Sequence, residues 1–159
     1  MRQPRREQAN QRAGEVMVQL RQRLGAAAEP VVAFAERFFE RLAPEDVLAR
    51  PVETLYGAVL SLWKLAERRA PRTVIVRVFN PKVDRDGWSS RHTVVEIVND
   101  DMPFLVDSVT MALQSLGLGI HLLVHPVARI ARDAEGRRQE GATAEAKAES
   151  LMHLEIDEQ

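Results

Sequence analysis

The stretch His92–Ile130 constrains the fold more than any other. It runs HTVVEIVND, DMPFLVDSVTMALQSLGLGI, HLLVHPVARI. The first part alternates like a strand, with Val95 and Ile97 on one face and Val94 and Val98 flanking Glu96 on the other. Asn99, Asp100 and Asp101 leave the strand. Their short side chains suit a turn and can accept hydrogen bonds from the free N–H groups of a helix start, so Asp100 and Asp101 are expected to cap a helix. Pro103 fixes φ near the first turn. Leu105, Val109, Ala112 and Leu116, widened by Val106 and Leu113, form the apolar stripe of that helix. Gly117 and Gly119 end it. A second strand starts at Ile120, where Pro126 cannot donate to a ladder and so marks an edge or a bulge. This strand–helix–strand unit has no catalytic signature of its own.

The flanks divide into three parts. Residues 1–28 form a basic leader carrying Arg2, Arg5, Arg6, Arg12, Arg21 and Arg23. With only Val16, Leu20 and Leu24 as an apolar stripe, it reads as a frayed, solvated and flexible helix. No aromatic residue precedes Phe34, so a nucleic-acid arm lacks stacking partners. Residues 29–70 are a helical segment. Val31, Phe34, Ala35, Phe38 and Leu42 give one stripe after Pro30. Val52, Leu55, Tyr56, Val59, Leu62, Trp63 and Ala66 give a longer one after Pro51. Tyr56 and Trp63 read as core or interface packing. Residues 71–159 hold the sheet. Strand 73–79 has Val74, Val76 and Val78 on one face and Arg77 on the other, and it leads through Asp86-Gly87 into the His92 strand. Trp88, in that connection, is placed to cap the sheet edge or meet a partner. Loop 132–149 reads as a mobile hairpin with poor periodicity. In Leu151–Asp157, Met152, Leu154 and Ile156 alternate with His153, Glu155 and Asp157. The fold class is therefore α+β: a ferredoxin-like βαββ module, C-terminally truncated before a second crossover helix and preceded by a helical segment.

Composition excludes several kinds of chemistry. The 159 residues carry a net charge of -1, so no global field draws the chain to nucleic acid or an anionic membrane. There is no cysteine, hence no disulfide and no thiolate metal site. The polar N-terminus does not resemble a signal peptide and no apolar run spans a membrane, so a cytoplasmic location is expected. No G-x-G-x-x-G follows a strand, and no Lys/Asp couple can be assigned. No catalytic, cofactor-binding or metal-binding residue is therefore assigned. His121 and His125 share a strand face but lie about 13 Å apart, too far to chelate one zinc ion. Either could reach a cross-strand His153, but His92, His121, His125 and His153 read best as strand-surface residues. Asp107, with Asp100 and Asp101, could form an acid–base cluster; helix capping and solvent exposure explain the three as well.

Asp101-Met102-Pro103, Leu105, Val106, Leu116, Gly117 and Ile120 match, in order, the strand, Asp-x-Pro turn and glycine-ended helix of ACT domains, which sense amino acids in metabolic enzymes. The text is more specific still. RVFNP at 77–81, DGW at 86–88, HTVVEIVNDDMPFLVDSV at 92–109, GLGIHLLVHPV at 117–127 and MHLEID at 152–157 resemble the N-terminal region of the large bacterial NAD-specific glutamate dehydrogenases. FFERLAPED at 38–46 and LSLWKLAERR at 60–69 fit too. The resemblance implies an ACT-like regulatory or assembly module of an enzyme that deaminates L-glutamate to 2-oxoglutarate and ammonia. NAD and the catalytic machinery would lie downstream, and the subunits would assemble as a homo-oligomer.

Sensing-type ACT domains usually have a glycine after the turn proline, and Phe104 stands there instead. Its ring is expected to fill the space an effector would use. The loop Asp100, Asp101, Met102, Pro103 and Phe104 is thus an interface candidate first and an effector site second. A free-standing amino-acid sensor and a purely structural interaction domain are the alternatives.

Overall fold

The structure, a computed structural model, describes residues 2–141 and 145–159. Helix α1 (Arg2–Leu24) opens the chain, and a single 3-10 turn at Gly25–Ala27 leads into α2 (Ala28–Glu40). The short α3 (Pro44–Leu48) and then α4 (Val52–Leu65) follow. The stripe Val31, Phe34, Ala35 and Phe38 of α2 is buried, as is the stripe Leu55, Val59 and Leu62 of α4. Pro44 starts α3 where its missing N–H costs nothing.

The N-terminal helix differs from the solvated leader its composition suggests. Ala9, Val16 and Leu20 fall on one side and are buried against the other helices. Arg12 donates to the carbonyls of Leu48 and Arg50, both at 2.9 Å, and so satisfies the C-terminal end of α3. Few apolar residues suffice here because the opposite side of α1 is free to stay charged.

The sheet runs β1 (Ile75–Phe79), β2 (Thr93–Asp100), β6 (Lys147–Ile156), β4 (Val127–Arg132) and β5 (Arg138–Gln139), with β3 (Ile120–Val124) also on β6. A one-turn helix, α5 (Val83–Asp86), lies between β1 and β2, and α6 (Leu105–Ser115) lies between β2 and β3. Both β2 and β3 pair antiparallel with β6, so they run parallel to each other with β6 between them. That is the split βαβ arrangement expected for this fold class. β3 and β4 lie end to end along one edge of β6, broken at His125-Pro126. The Pro126 carbonyl still accepts a bond from Leu151 N at 3.0 Å. β1 pairs with the far edge of β2, the place beside the first strand that a fourth strand takes in a complete βαββαβ sheet. The sheet therefore fills that position from its own N-terminal side.

Loop 132–149 is shorter than its composition implies. Gly136 O accepts from Arg69 N at 2.9 Å, Arg138 N donates to Glu67 O at 2.8 Å, and the Arg138 guanidinium lies over the Trp63 ring. Residues 142–144 of that loop lie outside the described residues.

Helices cover both faces of the sheet. α6 packs Leu105, Val106, Val109 and Leu113 on Val95, Met152, Leu154 and Ile156. The N-terminal helices pack on the other face, against Val94, Val98, Leu122, Val124 and Leu151. The stripe of α6 is narrower than expected, since Ala112 and Leu116 are exposed and no α6 residue is fully buried.

Candidate functional site

The loop Asp100–Phe104 joins β2 to α6. Asp100 accepts from Arg69 Nη2 at 2.6 Å, and Asp101 N donates to Ala148 O at 3.1 Å. No side chain caps α6, which corrects the capping role expected of these two residues. Asp100 is drawn away because the buried Arg69 needs an anion more than a solvated helix end does. Asp107 is exposed on the wet side of α6.

Phe104 takes the N-cap position with φ 67° and ψ 12°, a left-handed conformation normal for glycine and a real outlier for a bulky residue. The ring does not fill the space beneath it as the sequence suggests. It points outward and is 77% exposed, beside a half-exposed Met102.

Other large apolar side chains are exposed on the same side of the sheet. Met111 of α6 and Leu116 at its C-terminal cap are 68% and 73% exposed, and Val74, Val76 and Val78 are each more than half exposed. The valines lie on the α6 side of the sheet: Val76 pairs with Ile97 and Val78 with Val95, whose side chains point to α6. A single helix cannot span the sheet from β3 to β1, and β1 is left uncovered.

On the opposite face the sheet is rich in buried charge. Glu149 is clamped by Arg69 Nε at 2.9 Å and by Arg132 at 2.9 and 3.0 Å. Arg69 and Arg132 also donate to the Thr73 and Ala66 carbonyls, tying the end of α4 to β4, β6 and the start of the loop. Burial lowers the Arg69 pKa, but Glu149 and Asp100 outweigh it and leave it raised. Arg50 binds Glu155 at 2.5, 3.1 and 3.2 Å. Burial alone would raise the Glu155 carboxyl; the His153 ring at 3.6 Å and Arg50 pull it down to about 2. Glu96 and His153 face each other across β2 and β6, both fully buried, and neither has a hydrogen-bond partner on its carboxyl or ring atoms.

The histidines do not converge. His92 and His121 stack at 4.0 Å, and His121 Nε2 meets Asp157 at 2.7 Å. His125 contacts Ser150, while His153 sits between Phe38 and Trp88. His153 is therefore a core residue and not a strand-surface one. Among the described residues no group of three His, Asp or Glu side chains could hold a metal ion.

Sequence reasoning missed the arginine clamp and the Glu96–His153 pair. Their signal lay in β6: a strand alternating Met152, Leu154, Ile156 with Glu149, His153, Glu155 reads as half-solvated. Placed at the centre of a sheet covered on both faces, it buries both sets.

A βαββ sheet, crossed by one helix that begins at an Asp-x-Pro turn, defines an ACT-like α+β module. Residues 34–159 match the family model described as glutamate dehydrogenase, ACT1 domain, and the chain belongs to that family. The NAD-specific glutamate dehydrogenase of Pseudomonas aeruginosa is 40% identical over 149 residues, which covers 90% of this chain and 9% of that protein. That of Halomonas elongata is 36% identical over 153 residues, covering 90% of this chain and 10% of that protein. The chain thus spans about a tenth of the length of these relatives. No solved structure matches it. No helix among the described residues is long and apolar enough to cross a membrane.

Proposed function

We propose that this chain is the N-terminal assembly and regulatory module of an NAD-dependent glutamate dehydrogenase. Its parent polypeptide oxidises L-glutamate to 2-oxoglutarate and ammonia with NAD, works in the cytoplasm and assembles as a homo-oligomer. The module itself contributes no catalytic group. The observation that carries this reading is the apolar face of β1 and α6, with Phe104 turned outward at an energetic cost of about 1–3 kcal/mol. A strained backbone that presents a ring to water is explained when something covers the ring. The remaining domains of the parent are the occupant, since the relatives are about ten times as long as this chain.

The test is to place Val76→Asp and Met111→Asp in the full-length enzyme. Both positions are exposed, so the module itself still folds. The oligomeric mass by light scattering and the dehydrogenase activity are expected to fall together. Unchanged mass and activity would remove the assembly role.

The second reading is an amino-acid effector held at Asp100–Phe104. The glycine-like backbone at Phe104 favours it. The Asp100–Arg69 ion pair weighs against it by occupying the carboxylate that an ammonium group would use.

A further inference from the structure

A row of ionisable side chains crosses the helical face of the sheet. Arg77 on β1 stands opposite Glu96 on β2, and Glu96 stands opposite His153 on β6. The row continues along β6 to Glu155, 3.6 Å from the His153 ring, and ends at Arg50. Its two ends are satisfied. Arg50 donates to Glu155 through Nε and Nη2, and Arg77 lies 3.5 Å from Asp86. The middle is not. Both Glu96 oxygens and both His153 ring nitrogens are buried without hydrogen-bond partners, and so is Ser61 Oγ of α4.

The surroundings of the pair are mostly uncharged. The helices α2 and α4 present Phe38 and Ser61 to it, and the connection before β2 presents Trp88, whose ring centroid lies 6.5 Å from that of His153. His92 stands beyond Glu155, in a cleft that Arg50 and Glu155 also line. Burial penalises the charged form of a carboxyl, and it is the main influence on Glu96, whose pKa is raised. Ser61, His153 and Arg77 pull it down, while Asp86 pushes it up. Arg77 thus lies between two carboxylates at nearly equal distance, 3.5 Å from Asp86 and 3.7 Å from Glu96. Asp86 stays ionised, because it also accepts from the Arg85 guanidinium and from Lys82 N. A cleft of about 480 Å³, lined by Ser61, Arg77, Asp86 and Trp88 among others, opens from here to solvent and gives a proton its route.

We propose that Glu96 is a one-proton switch on the edge strand: protonated, it donates to the His153 ring and leaves Arg77 to Asp86; ionised, it draws Arg77 inward and accepts from Ser61. The protonated form keeps the buried pair neutral and gives an orphaned ring nitrogen its donor. The ionised form needs a cation, and Arg77 is the cation within reach. Its movement from one carboxylate to the other changes how β1 is held against β2 and against the turn that carries Asp86. Rising pH takes the proton out to solvent through the cleft, and falling pH returns it. The switch goes beyond the assembly reading and does not rest on it. Trp88 reports on it, since its ring lies against His153 and is fixed by Gly57, where a Cβ would collide with it.

The test is a pH titration of this chain by NMR, following the side-chain carboxyl carbon of Glu96 and the ring of His153, with Trp88 emission recorded in a Trp63→Phe background. Glu96 should titrate above the ordinary carboxylate value of 4.5, and the His153 ring and Trp88 emission should change at the same midpoint. Arg77→Gln removes the cation that receives the carboxylate, so the midpoint should rise. Asp86→Asn frees Arg77 for Glu96, so the midpoint should fall. Both side chains lie at the cleft wall and not in the core, and the opposite signs separate a switch from general loosening. In Glu96→Gln the shared transition should vanish from His153 and Trp88 while the fold is kept. The proposal is overturned if Glu96 titrates at or below its ordinary value. It is overturned equally if the two substitutions move the midpoint in the same direction or not at all, or if His153 and Trp88 keep their transition in Glu96→Gln.

Discussion

The two faces of the sheet differ in how completely they are closed. The helical face is thick, carries buried charge, and satisfies most of it with clamps such as Arg69–Glu149–Arg132 and Arg50–Glu155. The α6 face is largely apolar but thin, with no fully buried helix residue, two exposed valines on β1 and a third, Val74, just before it. One face is therefore finished within the chain, and the other is built to be covered. Stability should depend on the first, and assembly on the second.

The largest effects should fall on the closed face. Glu149→Ala removes the carboxylate from Arg132 and leaves Arg69 only Asp100, so chemical denaturation should show a loss of about 3–5 kcal/mol. Phe38→Ala, in the centre of the same core, should cost about as much. A cost under about 1 kcal/mol for either would break the contrast.

The Glu155 carboxyl gives the next effect. Its folded pKa of about 2 lies below the ordinary 4.5, so its contribution is present above about 4.5 and fades as pH falls toward 2. The loss should be on the order of 3 kcal/mol and absent in Glu155→Gln. Glu96 works in the opposite sense. Burial raises its pKa, so it favours the folded state only at low pH and loses that contribution as pH rises. Glu96→Gln should therefore stabilise the chain at neutral pH, with a gain that shrinks on acidification.

On the open face the effects should be small or reversed. Phe104→Gly relieves the left-handed strain and should stabilise the isolated chain by about 1 kcal/mol while weakening the full-length assembly. Met111→Ala should change the stability of the isolated chain by no more than about 0.5 kcal/mol.

Much of the fold was legible in the sequence. The turn Asp101-Met102-Pro103, the glycine stop at Gly117 and the alternation in β1, β2 and β6 were enough to identify the βαββ module. Three features were not legible, for physical reasons. The docking of α1 rests on Ala9, Val16 and Leu20, too few to stand out in an arginine-rich segment. Burial of Glu96, His153 and Glu149 follows from which strand is central, a property of topology and not of local pattern. The candidate loop was found, but the outward ring of Phe104 depends on a backbone φ that no residue list displays.

The most direct measurement is hydrogen–deuterium exchange, comparing this chain alone with the same residues in the full-length enzyme. The amides of β1 and α6 should gain protection in the enzyme, with Ile75–Phe79 at the sheet edge changing most, while α2 and α4 change little. Protection gained on α1 and α2, with β1 and α6 exchanging as fast as in the isolated chain, would contradict the account.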